Sequence, residues 1–211
     1  MGKDTVGEMF TTEQDAFTGL IRELTREQWE LPSLCPGWTV RDVVVHAAFH
    51  SHRGLKETFG STTKYTALLV ERAHADTIDG LIAWFASPAP PRARRSRINV
   101  CELVIHQQDV RRAVASDRDY PPDTLRMCLD QCSTVVGNAL IIARRHRLGH
   151  GVRLVANDIS WSKGNGPEVV GDGEAILMAI AGRPAALADL TGPGVAILTE
   201  RFRTVATPAA T

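Results

Sequence analysis

Residues 99–112 have the sequence NVCELVIHQQDVRR, a largely apolar helical run that also carries a carboxylate and an imidazole. Glu102 lies four residues before His106, and Asp109 follows three residues later. Because residues i and i+4 stack on one face of a helix, Glu102 and His106 are predicted to lie side by side. In a buried helix such a pair is either a hydrogen-bonded polar pair of the core or two ligands of a metal site. The rest of the sequence bears on that choice.

The composition is that of an ordinary globular protein, and it narrows the classes of partner. Hydrophobic residues make up 44% of the 211 residues and charged residues 23%. Lys and Arg together number 24, as do Asp and Glu, and the pI is about 7.1. This balance argues against binding to nucleic acid or to an anionic membrane surface, since both usually require a positively charged face.

No segment has the pattern of a membrane span or of a signal peptide. The cysteines lack the paired spacing of a zinc knuckle or of a secreted disulfide framework. There are four of them, Cys35, Cys101, Cys128 and Cys132. We therefore expect a cytoplasmic protein with reduced cysteines.

The pattern of apolar residues predicts an α+β protein with two parts. Over residues 1–150, long helical stretches are joined by irregular loops at Leu31–Trp38 and Ser87–Ser96, which predicts a four-helix bundle. One of these stretches is predicted to run from Thr62 to Ala86 and another from Pro122 to about residue 148. Thr39 is expected to cap the helix that follows the first loop. Residues 151–211 are predicted to form a small C-terminal α+β unit.

The C-terminal unit is predicted from a change of pattern after Gly151. The segment VRLVAND, residues 152–158, alternates as a strand does, and the following ISWSKGNG is its expected antiparallel partner. GDGEAILMAIAGR then predicts a helix that stops at Gly182. Residues 190–202 predict a closing helix, with a strand as the alternative.

A catalytic zinc site commonly has three protein ligands and keeps one position open. Glu102 and His106 would supply two ligands from one helix, so the third must come from another. The helix after Thr39 carries His46 in its most apolar part, which makes His46 the best third ligand. His50, one turn later, is a second choice.

Three further residues carry side chains that could take part in the chemistry. Asp109 either accepts the second ring N–H of a ligand histidine or forms a surface ion pair with Arg111 or Arg112. Cys35 lies in the turn before the second helix, so it is not expected to be a nucleophile. Cys101 adjoins Glu102 and therefore points to a different helix face.

The segment LPSLCPGWTVRDVVVHAAFH, residues 31–50, closely resembles the start of the second helix in the mycothiol-dependent maleylpyruvate isomerase family. That family belongs to the DinB-like four-helix superfamily of metal-binding, thiol-dependent enzymes. The family pattern is a Cys-Pro-Gly-Trp turn, a capping threonine, Arg-Asp and a ligand histidine. The matching residues are Cys35, Pro36, Gly37, Trp38, Thr39, Arg41, Asp42 and His46.

The second family pattern, Glu-x-x-x-His-x-x-Asp, is matched by Glu102, His106 and Asp109. Residues 152–183 are also similar to the C-terminal α+β unit of the family. The resemblance implies a divalent metal bound by His46, Glu102 and His106. Zinc is the first choice, and nickel, manganese or iron would accept the same ligands.

The resemblance further implies an enzyme with mycothiol as cosubstrate. A metal-bound thiol is deprotonated at neutral pH, and its thiolate would serve S-transfer to a small electrophile or its cis–trans isomerisation. The alternative is a non-catalytic, metal-stabilised bundle that binds a small ligand or a protein partner, which a fourth ligand such as His50 would favour. Gln107 and Gln108 follow the ligand histidine where many relatives have a histidine or a tryptophan. Substrate identity and oligomeric state are left open.

Overall fold

The computed structural model describes residues 3–52, 71, 75–134 and 149–206. Its contacts divide the chain into two compact units, residues 1–118 and residues 119–211. The first unit is helical in its described part, and the second combines helices with a three-stranded sheet. The predicted class, a helical N-terminal part followed by a small α+β unit, is confirmed.

The described helices of the first unit are α1 (Lys3–Glu23), α2 (Arg26–Trp29), α3 (Val40–His52), α4 (Ile78–Ala86), α5 (Pro91–Arg94) and α6 (Arg97–Ala113). Helix α6 packs against both α3 and α1, and α1 also packs against α4. Phe17 of α1 meets Phe85 of α4 edge to face, with ring centroids 4.9 Å apart. The largest fully buried side chains of this unit are Trp29, Phe10, Phe17, Phe85, Ile21, Leu81, Leu103 and Ile105.

Side-chain caps define the start of the two helices that carry the predicted ligands. Thr39 and Asp42 bond reciprocally: the Asp42 N–H donates to Thr39 Oγ1 at 3.2 Å, and the Thr39 N–H donates to Asp42 Oδ2 at 2.9 Å. This capping box confirms the predicted cap of α3. Helix α6 starts after Ser96, whose hydroxyl accepts the Asn99 N–H at 3.3 Å. The first residue of each helix is therefore set by hydrogen bonds between residues that are no more than three positions apart.

Two predictions within the first unit need correction. The loop predicted over Ser87–Ser96 contains the one-turn helix α5, because a proline is tolerated at the first helical position and Pro91 occupies it. The helix predicted over Thr62–Ala86 is not continuous. Thr77 is extended and accepts the Gly80 N–H at 3.1 Å, so it starts α4 as a cap. Residues 62–70 and 72–74 lie outside the described residues.

The described elements of the second unit are α7 (Pro122–Cys132), β1 (Arg153–Ala156), β2 (Ser162–Gly164), β3 (Glu168–Gly171), α8 (Gly173–Ile180), a 3-10 helix (Pro184–Asp189) and α9 (Val195–Ala206). The strand order is β2-β1-β3. Leu154 of β1 faces Lys163 of β2 in an antiparallel pair and Val169 of β3 in a parallel pair. The sequence predicted the first pair but not β3. The closing element is a helix, as expected, and not a strand.

Helix α8 ends where the sequence predicted. Gly182 has a φ of 90°, the left-handed conformation that a side chain disfavours. The Arg183 N–H donates to the Met178 carbonyl at 3.0 Å, and the Gly182 N–H donates to the Ala179 carbonyl at 3.0 Å. This pair of bonds is a Schellman motif, which stops the helix by satisfying its last carbonyls.

The two compact units divide between residues 118 and 119. Helix α7, expected as the start of the last bundle helix, packs against α8 in the second unit. A Cβ on Gly173 would lie 2.9 Å from Leu125 Cδ2, so the absence of a side chain there permits this close approach. Residues 135–148 lie outside the described residues, and the boundary at residue 150 stays a prediction. None of the described helices has the length and apolarity needed to cross a bilayer.

We expect Gly192→Ala to destabilise the second unit by at least about 2 kcal/mol. The φ of Gly192 is 97°, and an L-residue in left-handed backbone costs about 1–2 kcal/mol. The added Cβ would also lie 2.5 Å from the Glu168 carbonyl oxygen, which belongs to the backbone of β3. Chemical denaturation of both proteins measures the loss.

The matched control is Gly7→Ala in α1, where an added Cβ meets nothing within 4 Å. Because alanine has a higher helix propensity than glycine, the free energy of unfolding of this variant should rise by about 0.5–1 kcal/mol. A neutral Gly192→Ala would contradict the close approach of this turn to β3.

Candidate metal centre

Helices α3 and α6 bring two pairs of polar side chains together inside the first unit. His46 and His50 lie one turn apart on α3, and Glu102 and His106 lie one turn apart on α6. Glu102 Oε2 is 3.6 Å from His46 Nε2 and 3.1 Å from His106 Nε2. The structure therefore brings together the three residues that the sequence predicted as ligands, hereafter the ligand triad (His46, Glu102 and His106).

His46 lies at the centre of a group of aromatic rings. Its ring centroid is 4.4 Å from that of His50, 4.7 Å from that of His106 and 4.9 Å from that of Trp38. His46 Nδ1 is buried and has no hydrogen-bond partner. Most buried polar atoms are paired, so an unpaired one in a native core indicates a missing water, ion or ligand. This nitrogen lies in the cluster where the sequence predicts a metal.

Asp109 is fully buried and orients His106 from the opposite side. Its Oδ2 accepts the His106 Nδ1–H at 2.9 Å and the Cys35 thiol at 3.1 Å. Of the two interpretations offered by the sequence, the contact with His106 is the one observed in this structure. With Nδ1 bonded to a carboxylate, Nε2 is the ring nitrogen that faces Glu102.

His46 and Glu102 are both in the protonation state that binds a metal. Burial lowers the pKa of His46 to about 3, so its imidazole is neutral, which is the form that binds metals. Burial would raise the pKa of Glu102, but hydrogen bonds from His106 and His46 outweigh it and hold that pKa well below the ordinary value. Glu102 is therefore ionised at neutral pH.

The remaining imidazoles differ from each other. Burial by itself lowers the pKa of His106, but hydrogen bonds with Asp109, Cys35 and Glu102 raise it well above the ordinary value. His106 thus carries a positive charge between two carboxyl groups. Burial lowers the pKa of His50, so that ring is neutral. A divalent metal bound through His106 Nε2 would displace the proton of that nitrogen.

The donor set and its spacing fit a divalent metal. Bonds of about 2.0–2.2 Å in a tetrahedral zinc site separate neighbouring donor atoms by about 3.4 Å. The distances of 3.1 Å and 3.6 Å from Glu102 Oε2 to the two histidine nitrogens lie on either side of that value. Imidazole and carboxylate are also ligands that zinc, nickel, iron and manganese accept. The ligand triad could therefore hold such an ion after small side-chain adjustments.

Three residues near the centre were not expected there or were ranked low. Cys35 contacts Asp109 across 74 positions of sequence, and Trp38 packs on His46. Both belong to the Cys-Pro-Gly-Trp turn, where Gly37 has a φ of 80°. His50 was a second choice, although its i+4 spacing from His46 was a usable signal. No local pattern indicates that Cys35 reaches α6.

Gln107 does not belong to the centre, although it adjoins His106. Its side chain is fully buried toward α1, where Nε2 donates to the Glu13 carbonyl at 3.3 Å. Its Oε1 accepts bonds from Arg111 at 3.0 Å and from Arg118 at 2.6 Å. This departure from the family pattern therefore acts on helix packing and leaves the ligand triad unchanged.

Residues 10–98 match the sequence model of the family described as mycothiol maleylpyruvate isomerase N-terminal domain. The match confirms the resemblance seen in the sequence, and it includes His46 but ends before Glu102. No curated protein sequence matches the chain.

The isomerase-family fold extends over nearly the whole chain. A crystal structure of the mycothiol-dependent maleylpyruvate isomerase is similar to the structure of this chain. Its TM-score is 0.65, and the two share 15% identity over 92% of this chain and 93% of that chain. A structure of a mutant of that isomerase has a TM-score of 0.62 and 14% identity over the same shares. At these identities the similarity establishes the fold.

Proposed function

We propose that this protein is a metal-dependent isomerase that uses mycothiol to isomerise a small electrophile of the maleylpyruvate type. The observation that carries the proposal is the convergence of His46 and His106 on Glu102 within 3.6 Å, beside an unpaired buried nitrogen. The family match and the names of the similar structures support mycothiol and maleylpyruvate as the first compounds to test. S-transfer from mycothiol to an electrophile is the alternative reaction.

The ligand triad would hold one divalent metal, with zinc the first choice and nickel, manganese or iron accepted by the same donors. Bound there, the metal would lower the pKa of a coordinated thiol and so make a thiolate available at neutral pH. Such a thiolate would add to an activated double bond, and its expulsion after rotation about the resulting single bond would give the other isomer.

The protein residues orient the ligands and limit access of water. Asp109 accepts the Nδ1–H of His106 and so keeps Nε2 directed toward Glu102. Cys35 donates to the same Asp109 oxygen and links the turn before α3 to α6. Glu102 and His106 are 8% and 7% exposed, so few waters compete with their hydrogen bonds.

The test combines metal analysis with a thiol-dependent assay. Purified protein should contain about one divalent metal per chain. Removing the metal with a chelator should abolish maleylpyruvate isomerisation, and restoring a divalent metal (zinc, nickel, manganese or iron) should recover it only when mycothiol is present. An apoprotein as active as the loaded protein would contradict the proposal, as would full activity without a thiol.

A second candidate is a structural metal site in a non-catalytic bundle. His50 favours it, because its ring lies next to His46 and a fourth protein ligand would close a tetrahedral zinc site. In the cobalt-substituted protein, adding a thiol would then leave the absorption spectrum unchanged. An open position would instead give a new thiolate-to-metal band when cobalt replaces zinc.

A further inference from the structure

We propose that His50 is a fourth protein ligand of the metal that the ligand triad holds. The inference rests on the metal site of the proposed function and extends it to a residue outside the triad. It adds a second imidazole from α3, so that each of the two helices supplies two donors. The four donors are named here the four-donor cluster (His46, His50, Glu102 and His106).

The distances carry this proposal. One donor atom each of His46, His50 and Glu102 can be chosen so that all three lie within 4.8 Å of one another. The rings of His46 and His50 are 4.4 Å apart at their centroids and tilted by 49°. Donor atoms around one metal lie about 3.4 Å apart, so rotation of the imidazoles about their side-chain bonds must close only a small remaining distance. His50 is therefore within reach of the same ion.

The geometry of α3 separates His50 from the other histidine at the end of this helix. His46 and His50 are four residues apart and share a face, whereas His52 is turned to another side. His52 has a different set of contacts: Nδ1 lies 2.7 Å from the Ala48 carbonyl oxygen and Nε2 lies 2.9 Å from the Ser87 hydroxyl. Of the three histidines on α3, the two that face Glu102 are thus His46 and His50.

A fourth protein ligand changes which metals would support the proposed reaction. Tetrahedral zinc bound by the four-donor cluster would have no open position, although zinc can expand to five ligands. Nickel, manganese and iron accept six ligands and would retain two open positions for thiol and substrate. If His50 binds, we therefore expect the six-coordinate metals to support more isomerase activity than zinc does.

X-ray absorption of the zinc-loaded full-length protein tests the ligand count directly. We expect three imidazoles in the wild-type protein and two in His50→Ala. The zinc Kd of His50→Ala, measured by competition with a chelator, should exceed that of the wild-type protein by about 10-fold or more. Loss of an outer-shell partner already weakens metal binding by about 10- to 100-fold. His52→Ala is the matched control and should keep three imidazoles and the wild-type Kd.

The outcomes separate this inference from the proposed function. A wild-type protein that binds no metal overturns both, and two imidazoles in the wild-type protein overturn the role of His50 while leaving the triad in place. An unchanged Kd in His50→Ala has the same meaning. If His50→Ala does not fold, the imidazole count of the wild-type protein decides alone. Three imidazoles and no response of the cobalt spectrum to thiol would support His50 as a ligand and favour the structural site.

Discussion

His106→Ala is expected to abolish metal binding and thiol-dependent activity while the helical fold persists. The variant removes one of the three triad ligands, so metal affinity should fall by more than the 10- to 100-fold loss typical of outer-shell changes. The bundle buries large apolar side chains on several helices, so its fold should not depend on a metal as a zinc finger's does. Bound metal, isomerisation rate and thermal unfolding are measured on the same preparation.

The metal-free variant should nevertheless lose some stability. His106 Nδ1–H donates to Asp109, which is completely buried, and the loss of a hydrogen bond to a charged group costs about 1.5–3 kcal/mol. His106→Gln is the companion variant, since its amide offers N–H donors and a similar volume. We expect it to recover part of the stability and none of the activity.

The controls must be chosen from the tertiary structure. On helix geometry alone Gln107→Ala would serve, because its side chain faces about 100° away from that of His106. Gln107 is, however, fully buried and bonded to Arg118, so this variant would lose stability for an unrelated reason. His52→Ala removes an imidazole of α3 that bonds elsewhere, and it should keep the metal. If His106→Ala unfolds the bundle the site is structural, and if it keeps full activity the metal assignment is wrong.

Arg118→Met is expected to destabilise the first unit by about 3–5 kcal/mol, the range for breaking a buried ion pair. Arg118 Nη1 donates to Glu13 Oε2 at 2.6 Å and Nη2 donates to Glu13 Oε1 at 3.2 Å. The Glu13 side chain is completely inaccessible to solvent and that of Arg118 is 15% exposed. Without the guanidinium, the Glu13 carboxylate would lie in the core without its hydrogen-bonded cation. Chemical denaturation measures the difference.

The double variant Glu13→Gln/Arg118→Met separates the loss of the pair from the burial of a lone charge. A neutral amide at position 13 leaves no uncompensated carboxylate, so the double variant should be more stable than Arg118→Met alone. A loss below about 1 kcal/mol in Arg118→Met would instead equal that of an exposed ion pair and contradict its buried role.

The stability loss caused by Arg118→Met should also depend on pH. Burial raises the pKa of Glu13, and the hydrogen bond and charge of Arg118 offset this in part. Removing Arg118 should raise that pKa further, so the folded state of the variant binds the proton more tightly than the unfolded state does. Its stability then rises as the pH falls and declines as the pH rises. The gap between wild-type and Arg118→Met should therefore be larger at pH 8 than at pH 5.

The sequence by itself determined the local parts of this protein. The spacing of Glu102 and His106 puts both on one helix face, and the caps at Thr39 and Gly182 lie where the pattern predicted them. These features depend on residues a few positions apart, which backbone geometry relates directly. Strand β3 was missed, because a four-residue strand directly before a helix leaves little periodicity to detect.

Only the tertiary structure decided which distant side chains meet. The contact of Cys35 with Asp109 spans 74 positions, and that of Arg118 with Glu13 spans 105. The position of His50 near Glu102 likewise depends on how α3 packs against α6. Helix packing is set by many weak apolar contacts summed over whole faces, so no short segment encodes these pairings. The sequence therefore predicted the ligands of each helix, whereas their mutual distances, and the reach of His50, followed from the packing.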